Sequence, residues 1–84
     1  MHPLIEQIKL ACQAGKLPSE FTTAQVKEWI RREGITQPNG QPYAEDSVDA
    51  ILSNSDVANT GSTNLNRKVL NSVKKNGRKH YSFI

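Results

Sequence analysis

The stretch Leu70-Asn-Ser-Val-Lys-Lys-Asn-Gly-Arg-Lys-His-Tyr-Ser-Phe83 decides the fold. Val73, with Leu65 and Val69 upstream, fits a helical period. Against that reading, Asn76-Gly77 is a strong signal for a tight hairpin turn. Tyr81-Ser82-Phe83 also alternates as a strand does. The stretch therefore predicts a short helical turn near residues 64–69, followed by a hairpin with strands near 70–75 and 78–83. Two registers remain open. A two-residue Asn-Gly turn pairs Val73 with His80, whereas a turn one residue longer pairs Val73 with Tyr81. The choice matters because a one-residue slip exchanges the two faces of the strand.

Upstream of this hairpin the pattern is helical. Residues 53–64 are polar and read as a loop. Before them a helix is expected from about 44 to 53, with Val48, Ile51 and Leu52 inward and Tyr43 packed at its entrance. Glu45 and Asp46 fall at its start, where the helix dipole favours negative charge. Residues 36–42 form a turn, in which Pro38 pre-sets one dihedral and Gly40 readily takes a positive φ.

A better specified helix spans residues 23–33. Thr22 and Gln25 have the spacing of a capping box, and Phe21 with Val26 that of a hydrophobic staple. Val26, Trp29 and Ile30 form its buried stripe, and Gly34 ends it, with Ile35 positioned to pack back on Ile30. The first helix is expected over residues 3–14. Pro3 suits its first position, Leu4/Ile5, Ile8 and Ala11/Cys12 form one apolar stripe, and Gly15 stops it.

Composition sets the scale. The chain has 84 residues, enough for one domain spanning 1–84 and one modest core. Phe21, Val26, Trp29, Ile30, Val48, Ile51, Leu52, Tyr81 and Phe83 are expected to share that core. Cys12 is the one cysteine, so no internal disulfide can form. No apolar run approaches the length of a membrane span. Glu6 and Lys9 interrupt the first apolar stretch, so it does not read as a signal peptide. A cytoplasmic protein without membrane contact is the expectation.

The net charge of +3 hides an asymmetry. Residues 1–56 carry five bases and eight acids, whereas residues 57–84 carry six bases and no acid. The six are Arg67, Lys68, Lys74, Lys75, Arg78 and Lys79. A basic end of this kind suits an anionic partner such as nucleic acid. Lysines on an exposed hairpin also blunt a strand edge, which is the plainer explanation for some of them.

No constellation supports catalysis. His2 and His80 are far apart with no cysteine near either, so metal-ligand spacing is absent. Cys12 falls on the buried stripe of the first helix, as a small core residue does. Asp46 and Asp49 read as acids at a helix start, and Trp29 reads as core. The Asn-Gly pairs lack the glycine pattern and preceding strand of a phosphate loop. No enzyme activity, cofactor or metal is expected.

The order of helix, capped helix, turn, helix and basic hairpin resembles the winged-helix branch of the helix-turn-helix proteins. Tyr43-Ala-Glu-Asp-Ser-Val-Asp-Ala-Ile-Leu52 is placed like a recognition helix, and Leu70 to Phe83 like a wing. Val73, a basic glycine-containing turn and then Tyr81 look like winged-helix modules associated with bacterial restriction systems. The resemblance implies an α+β fold, a three-helix bundle with a C-terminal β-hairpin wing. It also implies DNA binding, with the third helix in the major groove and the wing beside the phosphates. This chain departs from that pattern, because its third helix carries Glu45, Asp46 and Asp49 and no base. Its candidate outward readers are Ser47, Asp49, Ala50, Ser53 and Asn54. A contact led by the wing is therefore expected with duplex DNA. The alternative is a protein partner bound through the acidic third helix.

Overall fold

The structure, a computed structural model, describes residues 2–58 and 68–84. Its elements in chain order are α1 (Pro3–Gln13), β1 (Phe21–Thr22), α2 (Thr23–Glu33), α3 (Glu45–Asn54), β2 (Leu70–Lys75) and β3 (Arg78–Phe83). Three helices and a three-stranded antiparallel sheet of order β1-β3-β2 make it an α+β protein, a layout compatible with a winged helix.

Local sequence accounts for each helix boundary. In α1 the His2 Nδ1 accepts a hydrogen bond from the Leu4 N–H at 3.1 Å, and Pro3 opens the helix where no N–H is needed. Leu4, Ile5, Ile8 and Ala11 are buried on one stripe, while Leu10 on the far side is 58% exposed. In α2 the Thr22 Oγ1 accepts from the Gln25 N–H at 3.2 Å, and the Gln25 Oε1 accepts from the Thr22 N–H at 2.9 Å. Both halves of the capping box are thus present. Gly34 ends α2 at φ 64°, a conformation that L side chains rarely adopt, and the Ile35 N–H returns to the Ile30 carbonyl at 3.0 Å. Ala44 caps α3 with no side-chain hydrogen bond, so its start depends on Glu45 and Asp46 and on burial of Val48 and Leu52.

The hairpin adopts the first of the two registers. Val73 stands opposite His80, Ser72 opposite Tyr81 and Leu70 opposite Phe83. Asn76 at φ 51° and Gly77 at φ 77° take the two left-handed positions of a two-residue turn. The strand limits agree with the sequence expectation. The helical turn expected near 64–69 falls largely outside the described residues, and Lys68 and Val69 lie in no helix.

The hairpin is not an isolated wing, because β1 joins it. Phe21 pairs with Tyr81 and Thr22 with His80. Two residues are too few to show alternation, and the staple had already explained Phe21. One side chain serves both roles: it is fully buried, with its ring centroid 6.2 Å from that of Tyr81 and 6.0 Å from that of Phe83.

One core unites these elements. Phe21, Val26, Trp29, Val48, Leu52 and Tyr81 are buried in it as expected, with Leu4, Ile5, Ile8, Leu17 and Leu70 beside them. Ile30, Ile51 and Phe83 are half-buried against its edge, as is Cys12. Burial raises the Cys12 thiol pKa, and its Sγ lies 3.6 Å from the Pro18 carbonyl, so a reactive thiolate is disfavoured.

Candidate nucleic-acid interface

Alternation divides the hairpin's side chains between two faces. Leu70, Ser72 and Lys74 share the core side with Lys79, Tyr81 and Phe83. Asn71, Val73 and Lys75 share the outer side with Arg78, His80 and Ser82. The register sets Lys74 directly opposite Lys79 and Lys75 directly opposite Arg78. Each face therefore ends, near the turn, in a cross-strand pair of like charges. Such pairs are destabilising in a sheet.

The cations differ in their partners. On the outer face the Lys75 Nζ donates to the Glu20 Oε1 at 2.6 Å, and the His80 Nδ1 lies 3.5 Å from the same oxygen. The Lys75 hydrogen bond holds the Glu20 carboxyl below its ordinary pKa. On the core side the Lys79 Nζ lies 3.4 Å from the Asp56 Oδ2. Lys68 donates to the Asn54 carbonyl at 2.6 Å, at the end of α3, and so serves the helix terminus. Lys74 and Arg78 are exposed and have no ion pair among the described residues. Arg67 lies outside the described residues.

Asp56 is the residue that sequence reasoning missed. Placed in the polar loop by composition, it is fully buried where α3 meets the hairpin. The Val57 N–H donates to the Leu70 carbonyl, and the Val69 and Leu70 N–H groups donate to the Ser55 carbonyl, all between 2.9 and 3.0 Å. This junction draws Asp56 under the sheet. Its carboxylate accepts from the Ser72 Oγ at 2.6 Å and the Ala58 N–H at 2.9 Å, with Lys79 alongside. Burial opposes the charge, but these hydrogen bonds and the ammonium outweigh it and hold the carboxyl below its ordinary pKa. An isolated aspartate in a polar stretch carries no local signal of this role.

Helix α3 presents a different surface. Glu45, Asp46, Ser47, Asp49 and Ala50 are exposed. Asp49 bonds Lys27 of α2 at 3.2 Å, so part of that acidity is neutralised. Ser53 and Asn54 are half-buried near the hairpin junction, so of the candidate readers only Ser47, Asp49 and Ala50 stand clear of it.

A concavity lies on the opposite side of the hairpin. It is an open groove of about 760 Å³ between the segment after α1, the outward side of α2 and the outer hairpin face. Lys16, Arg32, Lys75, Arg78 and His80 line it, and Glu28 is the acid among its lining residues. Glu28 pairs with Arg31, and Lys16 pairs with Glu33 at 3.1 Å. No α3 residue lines this groove. Lys16 and Arg32 carry no local sequence signal of this role; only the fold brings them beside Lys75 and Arg78.

Among the described residues no cluster of three His, Cys, Asp or Glu side chains could hold a metal ion, and no helix is long and apolar enough to cross a membrane. Comparison with protein families, curated proteins and solved structures finds no match to this chain.

Proposed function

We propose that this chain is a non-catalytic DNA-binding module of winged-helix type that grips duplex phosphates through its C-terminal hairpin. The observation that carries this reading is the pairing of Lys74 with Lys79 and of Lys75 with Arg78 across the strands. A hairpin selected only for stability would set opposite charges there. Like charges placed face to face suit an anion that neutralises both.

Aromatic placement supports a phosphate-led contact. Phe21, Trp29 and Tyr81 are buried, and Tyr43 and Phe83 are half-buried against the core. None offers an open ring for stacking unpaired bases, as single-strand binders require. The acidity of α3 opposes insertion of that helix between two phosphate strands. It favours the second reading, in which exposed Glu45 and Asp46 engage a basic protein partner.

Titration of a short duplex at several salt concentrations separates the two. The DNA reading predicts weakly sequence-dependent affinity whose logarithm falls with log salt by about 0.9 per phosphate neutralised. Changing Lys74, Lys75, Arg78 and Lys79 together to Gln should flatten that slope and weaken all duplexes alike. Absence of binding at low salt would exclude DNA and leave the protein-partner reading.

A further inference from the structure

We infer that the duplex backbone lies in the groove on the outer face of the hairpin, against α2, and not on the side of α3. This inference rests on the nucleic-acid reading and assigns it a surface.

Four cations from three separate parts of the chain converge there. Lys16 follows α1, Arg32 comes from the last turn of α2, and Lys75 and Arg78 form the outer cross-strand pair. Arg32 and Arg78 are exposed with no ion pair among the described residues. Lys16 and Lys75 are held only by exposed carboxylates, Glu33 and Glu20. Ion pairs at such exposed positions contribute little and exchange readily for a phosphate. Glu28, the acid in the lining, is already neutralised by Arg31.

The other face of the hairpin is less suited to an anion. Its pair is Lys74 and Lys79, and Lys79 is committed to buried Asp56. The adjoining helix offers Glu45, Asp46 and Asp49, with Lys27 already bound to Asp49. A phosphate strand entering there would meet Glu45 and Asp46, which have no ion pair among the described residues, whereas Glu20, Glu28 and Glu33 beside the outer groove are each paired with a base, so the repulsion is weaker there.

The test uses the whole chain and a fixed duplex, with two variants that leave the hairpin intact. Lys16→Gln with Arg32→Gln removes the two groove cations outside the hairpin. Glu45→Gln with Asp46→Asn removes the acids of α3. If the backbone lies in the outer groove, the first variant lowers affinity for every duplex and reduces the salt slope by about 0.9 for each charge removed. The second leaves both quantities unchanged. Amide resonances of Thr22, Gln25 and Arg32 shift on titration, while those of Ser47 and Ala50 stay in place. Two results overturn the inference while preserving DNA binding. One is an unaltered slope in the Lys16/Arg32 variant. The other is a clear gain in affinity on neutralising Glu45 and Asp46, which would bring the duplex to α3. Failure of the unaltered protein to bind duplex at low salt overturns the DNA reading and this surface together.

Discussion

Helix α2 and the β2–β3 hairpin are both specified by local sequence, yet they use charge in opposite ways. In α2 the local choices support one structure: the reciprocal Thr22–Gln25 cap, buried Val26 and Trp29, a glycine stop and the Glu28–Arg31 pair one turn apart. The hairpin has an equally consistent backbone, with an Asn-Gly turn matched to two six-residue strands. Its charges do not follow that logic, because Lys74 faces Lys79 and Lys75 faces Arg78. Where a sequence agrees with its fold at most levels and departs at one, the departure marks a site of function. By that criterion the buried face of α2 is scaffold, and the hairpin is the surface we propose for the partner.

The contrast can be tested first where α2 meets the core. Trp29 is 3% exposed and packed among buried aliphatics. Trp29→Ala should destabilise the domain by about 3–5 kcal/mol, a large part of the stability of so small a protein. Chemical denaturation measures it, and a loss below 1 kcal/mol would mean that α2 is not the scaffold.

A smaller effect is expected at the junction that orients the hairpin. Asp56→Ala leaves the Ser72 hydroxyl, the Ala58 N–H and Lys79 without their acceptor, a change that costs about 1–3 kcal/mol. Its pH dependence has a defined sign. Because the carboxyl pKa is lowered in the fold, its contribution is complete above the ordinary aspartate range and is lost as pH falls through the lowered value. Unfolding midpoints taken from neutral pH to below about pH 4 should therefore fall more steeply for the unaltered chain than for Asp56→Asn. Parallel curves would assign no such role to the charge of Asp56.

Removing the cap isolates a local contribution from burial. Thr22→Ala should cost about 1 kcal/mol through the lost bond to the Gln25 N–H. An unchanged midpoint would leave the buried stripe to hold α2 alone.

The smallest change sharpens the comparison most. Arg78→Glu puts an acid opposite Lys75, and cross-strand pairs of opposite charge favour a sheet by about 0.2–1 kcal/mol. The variant should be equal or higher in stability and weaker in duplex binding. Reduced stability with unaltered binding would assign the outer cross-strand pair to the structure of the hairpin and not to a ligand.

Much of the framework is legible in the sequence, for reasons that lie within a few residues of each feature. Caps, staples and glycine stops act over one helical turn, so the limits of α1 and α2 could be read directly. Asn76-Gly77 likewise carries its own φ requirement. The register was settled by tertiary packing: Phe21 pairs with Tyr81 and stacks on it, which holds Tyr81 inward, and burial of Leu70 sets the inward phase of β2, so that Ser72 stands opposite Tyr81 and exposed Val73 opposite His80. The same contact created β1, for which two residues carried no periodic signal.

The candidate site divides along the same line. The sequence by itself determined that six bases and no acid occupy the last third of the chain, because charge is a property of composition. It also determined that α3 would be acidic. Only the tertiary structure decided which of those bases face the same way, since that depends on strand register and on what packs behind each strand. Tertiary folding turned Lys79 toward a buried aspartate and tied Lys68 to the end of α3. It brought Lys16 and Arg32, distant in the chain, beside Lys75 and Arg78 across an open groove. Electrostatic interaction falls with distance through space and not along the chain, so the surface with the strongest claim to an anion could not be located until the chain was folded.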